Sequence, residues 1–149
     1  MDARLLLCDR QSPSRDALER FFSRCGFRVE TAHNGLECLA KVRPLKPDVL
    51  VADFETPCGS AAVVVASLHE SRFEFEIPIV LIVGNAPPRI LSQRTGVPES
   101  FCFQKPLRTE SLLERVGLAI ALVDLRRNGQ RRFHNRLPGR PDEAETCLT

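Results

Sequence analysis

Short continuous apolar runs alternate along the chain with longer segments whose apolar residues recur at helical spacing. The runs predict five strands, over residues 3–8, 27–31, 49–53, 77–83 and 101–104. Near-continuous hydrophobicity over four or five positions is typical of a strand buried on both faces, as in a parallel sheet covered by helices. Only the second run alternates, through Phe27, Val29 and Thr31.

A segment with helical spacing follows each strand. Ser12-Pro13 is a typical helix start, and Gly26 is a typical stop. We interpret Asn34-Gly35 as the start of the second helix rather than as a hairpin turn, because the apolar residues after it are spaced helically. A third helix is predicted over 61–68, a short one near 88–96, and a long one from Thr109 to about Arg127.

Five β-α units in sequence predict an α/β fold with right-handed crossovers and helices on both faces of the sheet. The expected architecture is a flavodoxin-like (βα)5 doubly wound parallel five-stranded sheet, whose switch point lies between the first and third strands. Asp9 and Asp53 end those two strands, and Lys105 ends the fifth. We therefore expect the three side chains to meet in one crevice, with Glu55 adding a further carboxylate.

Composition predicts the cellular compartment of the protein and a domain boundary near residue 125. No signal pattern precedes the first strand, no apolar run approaches a membrane span, and the six cysteines form no CxxC pair. These features predict a cytoplasmic protein without structural zinc or a membrane partner. Residues 1–125 are near neutral, whereas residues 126–149 carry six arginines and three acids. We expect a domain over 1–125 and a basic, disordered tail over 126–149, with nucleic-acid binding disfavoured because no recognisable module is present.

The ordered set of strand-end residues resembles the receiver domain of two-component response regulators, over about residues 3–125. The resemblance rests on Leu7-Cys8-Asp9, on 47–57 around Asp53, on Gly84 and on Lys105-Pro106-Leu107. It implies that Asp53 accepts a phosphoryl group from a histidine kinase and that Lys105 contacts the phosphoryl oxygens. It also implies that acids after the first strand hold Mg²⁺, with Asp9 and Asp53 as ligands, and that the chain is not an enzyme.

The sequence departs from that family at three positions. Arg10 stands where the second acid of the metal-binding pair is expected. Val83 replaces the switch hydroxyl, and Cys102 falls where an aromatic is expected, although Phe101 and Phe103 flank it. A ligand without differential contact shifts no equilibrium, so the loss of the hydroxyl predicts weak coupling even if Asp53 is phosphorylated.

Arg10 has two alternative interpretations. A guanidinium presents a fork matched to carboxylates, so Arg10 could pair with Glu55 or Asp53 and replace the metal ion. Alternatively, Arg10 extends into solvent and the metal site is merely eroded. In either case, we expect binding of Mg²⁺ as a cofactor to be lost or impaired.

The last helix is apolar nearly all round between Leu118 and Val123. A helix of this kind usually packs against a second surface in addition to its own domain core. The predicted interaction face consists of Leu118, Ile120, Leu122 and Val123. It would serve docking or homodimerisation, and the alternative is deeper burial under the tail.

Three functions remain open from the sequence. The first is a stand-alone atypical receiver that acts as a protein-interaction module for a histidine kinase or another signalling protein. The second is a working phosphoacceptor, such as a phosphorelay intermediate, modified on Asp53. The third, an unrelated flavodoxin-like enzyme or cofactor binder, is weakened because 10–13 lack a glycine-rich phosphate loop.

Overall fold

The computed structural model describes residues 3–10, 12–53, 61–70, 77–84 and 87–136. Strands and α-helices alternate through these ranges, as the hydrophobic pattern predicts. The elements are β1 (Arg4–Cys8), α1 (Ser12–Arg24), β2 (Arg28–Ala32), α2 (Gly35–Leu45), β3 (Val49–Asp53), α3 (Ala61–Glu70), β4 (Ile79–Val83), α4 (Pro88–Thr95), a 3₁₀ turn (Glu99–Phe101), β5 (Cys102–Gln104) and α5 (Thr109–Arg136).

The five strands form one parallel sheet in the order β2-β1-β3-β4-β5. The expected flavodoxin-like (βα)5 fold is therefore confirmed. Chain order reverses between β1 and β3, which pair in register from Leu5 opposite Val49 to Cys8 opposite Ala52. The carboxyl ends of these two strands consequently open into the crevice where ligands bind in doubly wound sheets.

Burial along the strands explains why the hydrophobic pattern of the sequence predicted their positions. Every residue of β3 and β4 is buried, and β1 is buried after Arg4, so the three central strands read as continuous apolar runs. The edge strand β2 alternates between exposed and half-buried positions before it ends on the buried Ala32. Alternation in the sequence thus marked an edge of the sheet.

Two apolar layers flank the sheet. On one face, side chains of the central strands such as Leu6, Leu50 and Leu81 pack with buried residues of α2, α3 and α4. On the other face, Leu5 and Val51 belong to a cluster that also contains buried residues of α1 and α5. Each central strand therefore contributes to both layers, as a doubly wound architecture requires.

The second helix has a well-formed amino terminus. The Asn34 side chain accepts a hydrogen bond from the Glu37 N–H at 2.9 Å, and the Glu37 carboxylate accepts one from the His33 N–H at 2.9 Å. This reciprocal pair satisfies two backbone donors at the helix start. The interpretation of Asn34-Gly35 as a helix start is confirmed.

Most predicted strands have a boundary that differs from the observed one by one or two residues. β1 begins at Arg4 and β2 spans Arg28–Ala32, each one residue later than predicted. β4 begins at Ile79 rather than residue 77, and β5 begins at Cys102 because Phe101 ends the 3₁₀ turn. α5 continues to Arg136, beyond the expected end near Arg127. The first part of the predicted disordered tail is therefore helical, while the domain boundary at residue 125 stays a prediction. Within the described ranges, no helix combines the length and the apolar character needed to cross a bilayer.

Candidate functional site

A buried carboxylate and a lysine meet at the carboxyl edge of the sheet. Asp53 ends β3 and is 7% exposed. Its Oδ2 atom accepts a hydrogen bond from Lys105 Nζ at 2.7 Å. The backbone N–H of Lys105 donates to the Val83 carbonyl oxygen at 2.8 Å, which anchors the lysine just beyond the end of β4. The expected meeting of these two strand ends is observed.

Asp9 lies at the end of β1 and is 3% exposed. Its backbone N–H donates to the Ala32 carbonyl oxygen at 3.1 Å, which continues the β1–β2 ladder by one bond. Its own carbonyl oxygen accepts a hydrogen bond from Arg15 Nη1 at 2.9 Å. Arg15 is a residue of α1 and is only 8% exposed, so the first helix inserts a permanent positive charge beside the acidic edge.

A cavity of about 220 Å³ opens at this edge. Asp9, Asp53 and Lys105 line it, together with Cys8, Thr109 and the apolar side chains Leu7, Ala17, Leu18, Ile82 and Leu107. The three predicted site residues therefore share one hollow. Its apolar walls lower the local dielectric, which strengthens every charge interaction within it.

The remaining predicted site residues occupy the surroundings of this cavity. Arg10 follows Asp9 and is exposed, while Glu55 lies outside the described residues, so its pairing with Arg10 stays a prediction. Val83 is 1% exposed at the end of β4, and Cys102 is 5% exposed in β5. Phe101 and Phe103, which flank Cys102, are half-buried.

The described donors fit a hydrated Mg²⁺ ion poorly. Mg²⁺ needs near-octahedral oxygen coordination and is held by one or two carboxylates. Of the described carboxylates, Asp53 already binds the lysine ammonium, and the residue after Asp9 is an arginine. No cluster of three or more histidine, cysteine or acidic side chains suited to a metal occurs in the described ranges.

The interaction face predicted on α5 is only partly exposed. Leu118 is 41% exposed and Leu122 is half-buried, but Ile120 packs against the core and Val123 is 6% exposed. Val123 cannot belong to an exposed face, because it is buried and lines a cavity together with Ala119 and Phe101. Leu125, which the sequence analysis did not single out, is 66% exposed and follows Leu118 by two helical turns. The leucine stripe thus consists of the exposed Leu118 and Leu125 with the half-buried Leu122 between them.

Two further features of the site were not predicted from the sequence. The burial of Arg15 was not predicted, because an arginine on an amphipathic helix is normally exposed to solvent. The peptide bond between Lys105 and Pro106 is cis, which the X-Pro dipeptide permits but does not require.

Comparison with known proteins finds relatives in sequence and in fold, but no family model. No protein-family model matches the chain. Response regulator MprA of Mycobacterium ulcerans (strain Agy99) is 28% identical over 116 residues, which cover 78% of this chain and 49% of the relative. The chain thus spans about half the length of the curated relatives it matches.

Solved structures give the same picture of the fold. The receiver domain of the Francisella response regulator 1452 superposes with a TM-score of 0.71 at 18% identity, covering 80% of this chain and 98% of that one. The chemotaxis response regulator CheY4 of Vibrio cholerae superposes with a TM-score of 0.67 at 24% identity, covering 80% and 99%. The parallel sheet and the ordered strand-end residues define a flavodoxin-like fold with a polar site at its carboxyl edge. The relatives and structural neighbours to which the chain is similar are response regulators and their receiver domains.

Proposed function

We propose that this chain contains a response-regulator receiver domain of two-component signalling that acts mainly as a protein-interaction module, with impaired Mg²⁺-dependent phosphoryl switching. The observation that carries the proposal is the buried, apolar Val83, at the end of the strand between β3 and β5. A phosphoryl group on Asp53 would find no hydroxyl donor at this position. Without a contact that differs between two states, phosphorylation has no means of shifting the domain between them.

The charges around Asp53 support the same proposal. Asp9 and Asp53 are the buried carboxylates of the described site. Two positive charges lie beside them: Lys105 hydrogen-bonds the Asp53 carboxylate, and Arg15 hydrogen-bonds the Asp9 backbone carbonyl. The site is thus close to neutral without a divalent cation. Arg10, in place of a second acid, adds positive charge at the same edge and is expected to disfavour Mg²⁺ further.

A working phosphoacceptor is the alternative, in which a histidine kinase phosphorylates Asp53. The contact of Lys105 with Asp53 favours it, because an ammonium group neutralises the charge of an incoming phosphoryl donor. The cavity beside them, about 220 Å³, has room for a phosphoryl group. A receiver of this kind would accept a phosphoryl group, but phosphorylation would be coupled only weakly to a conformational change, because Val83 has no hydroxyl group.

Incubation with acetyl phosphate, with and without Mg²⁺, distinguishes the two functions. Intact-protein mass spectrometry measures the added phosphoryl mass, and Asp53→Ala gives the background. We expect the wild type to stay at that background in both conditions. Stoichiometric labelling that disappears in Asp53→Ala would instead establish the phosphoacceptor function.

The partner surface is proposed to be the leucine stripe on α5, and a second copy of the chain is its proposed occupant. Glu110, Glu114 and Arg115 lie in the first half of the helix, whereas Arg126 and Arg127 begin its basic second half. Antiparallel pairing of two such helices through the stripe would bring Glu110 and Glu114 of each towards the basic half of the other. Charge complementarity of this type sets orientation and partner choice.

A further inference from the structure

Two buried cysteines lie near the acidic edge of the sheet. Cys8 is the last residue of β1 and precedes Asp9, and Cys38 lies in the second turn of α2. They are 1% and 0% exposed and belong to the same apolar cluster. Neither residue has a part in the function proposed above.

The backbone of Asn34 links the two cysteines. The Asn34 carbonyl oxygen accepts a hydrogen bond from Cys8 Sγ at 3.5 Å and another from the Cys38 N–H at 3.0 Å. The Cys8 thiol and the Cys38 backbone amide therefore share one acceptor atom. The Cys38 thiol also hydrogen-bonds the Cys8 thiol, and this contact together with burial raises the Cys38 pKa well above its usual range.

We propose that Cys8 and Cys38 form an oxidisable dithiol that closes to a disulfide with a peroxide as oxidant. The first thiol attacks a peroxide oxygen, so that the O–O bond breaks, a sulfenic acid forms and one water leaves. The second thiol then attacks the sulfenic sulfur, the S–S bond forms and the second water leaves. Overall, two thiols and one hydrogen peroxide give one disulfide and two waters, with the sulfurs oxidised and the peroxide reduced.

The structure limits the rate of this reaction. Cys8 is among the residues around the cavity that contains Asp9 and Asp53, but its side chain belongs to the apolar layer on the α2 side of the sheet, so peroxide reaches the thiol only through that layer. The thiolate is the reactive form, and the raised pKa of Cys38 keeps that thiol protonated at neutral pH. Disulfide formation is therefore slow at pH 7 and accelerates towards pH 9.

Two other described cysteines serve as internal references. Cys25 is exposed, so among the described thiols it is the one that peroxide reaches most easily. Cys102 is buried in β5, where burial raises its pKa to about 11. Three strand spacings separate β5 from β1 in the sheet, about 14 Å in total, so Cys102 cannot bridge to Cys8.

The experiment treats the full chain with hydrogen peroxide at pH 7 and pH 9, blocks the remaining thiols with N-ethylmaleimide under denaturing conditions and digests with trypsin. The proposal expects a linked species of peptides 5–10 and 29–41, two hydrogens lighter than the pair, forming at least several-fold faster at pH 9. Cys25→Ser should leave this species unchanged, and Cys38→Ala should abolish it.

Two results would overturn the proposal. One is that Cys8 and Cys38 both remain alkylated by maleimide after Cys25 is fully oxidised at pH 9. The other is that Cys8 is found linked to a different cysteine while Cys38 stays reduced. Because the linked peptide is measured in the wild type, the test does not depend on the folding of any variant.

Discussion

Lys105 Nζ binds Asp53 Oδ2 at 2.7 Å although their strands, β5 and β3, are not neighbours in the sheet. The intervening strand, β4, ends at Val83, whose carbonyl oxygen accepts the Lys105 N–H at 2.8 Å. The lysine thus crosses the end of β4 to reach the carboxylate. Sheet order and strand length, rather than local sequence, create this contact.

Removal of the lysine ammonium is expected to destabilise the domain. Lys105→Met leaves the Asp53 carboxylate, whose side chain is 9% exposed, without this cation and beside the buried Asp9. Breaking a buried pair by removing one partner costs 3–5 kcal/mol. Because the lysine itself is 34% exposed, we expect a smaller loss of about 1–3 kcal/mol in the free energy of unfolding at pH 7.

Urea denaturation measures this loss. Arg108→Met, which removes an exposed basic residue from the same loop, is the matched control and should change stability by less than about 0.5 kcal/mol. Asp53→Asn should cost less than Lys105→Met, because it removes the negative charge and retains an oxygen acceptor for the ammonium. Equal stability of Lys105→Met and the wild type would show that the contact contributes nothing.

Restoration of an acid at residue 10 is expected to create divalent-cation affinity. In the wild type, we expect no saturable Mn²⁺ binding in the millimolar range by electron paramagnetic resonance. Arg10→Asp places a carboxylate after the buried Asp9 and removes a positive charge, so saturable binding should appear, at least about tenfold tighter than the weakest affinity that the wild-type titration can detect, or about 1.4 kcal/mol. Arg24→Asp makes the same charge change at the far end of α1 and should leave binding unchanged. Saturable wild-type binding would contradict the idea that Arg10 replaces the metal ion.

Glu37 gives the domain a defined sensitivity to acid. Its pKa is lowered to about 2, mainly by the hydrogen bond from the His33 N–H, then by the His33 side chain, with a smaller effect of Lys41. A carboxyl whose folded pKa is depressed stabilises the fold above its unfolded pKa, near 4.3. This contribution is lost as the pH falls from about 4.5 to about 2.

Glu37→Gln isolates this contribution. Because the carboxylate is partly exposed and solvent screens it, we expect the variant to be less stable than the wild type by no more than about 1 kcal/mol at pH 7. The difference should disappear as the pH approaches 2. Glu30→Gln, at an exposed position of β2, is the control in the same denaturation series. A difference between wild type and Glu37→Gln that is independent of pH would argue against the assigned cause.

The sequence was most informative where burial is complete on both faces. β3 and β4 are apolar throughout, so their positions, and the polar residues that end them, could be read directly. The meeting of Asp9, Asp53 and Lys105 also followed from strand order, because the ends of parallel strands share one edge.

Features that depend on tertiary contacts could not be read in this way. Arg15 is buried only because α1 packs over the end of β1, and Cys8 and Cys38 lie close together only because α2 begins near Asn34. The extension of α5 to Arg136 was missed for a different reason. Its second half lacks an apolar stripe, yet arginine and glutamine are good helix formers and continue a helix that has already nucleated.

Self-association through α5 is the prediction with the widest consequence for function. We expect sedimentation velocity to show a concentration-dependent monomer–dimer equilibrium for the wild type. The double variant Leu118→Gln and Leu125→Gln should be monomeric, while its free energy of unfolding should change little because both leucines are already exposed at 41% and 66%.

Leu36→Gln tests whether the effect is specific to α5. Leu36 lies on α2 and is 65% exposed, so the substitution removes a similar amount of exposed apolar surface from a different helix and should leave the dimer intact. Charge reversal tests the antiparallel orientation, because Glu114→Lys should weaken the dimer and Arg126→Glu should restore it in the double variant. A wild-type chain that sediments as a monomer at every concentration would exclude a second copy as the occupant of the stripe, and would leave a different protein as the partner of this face.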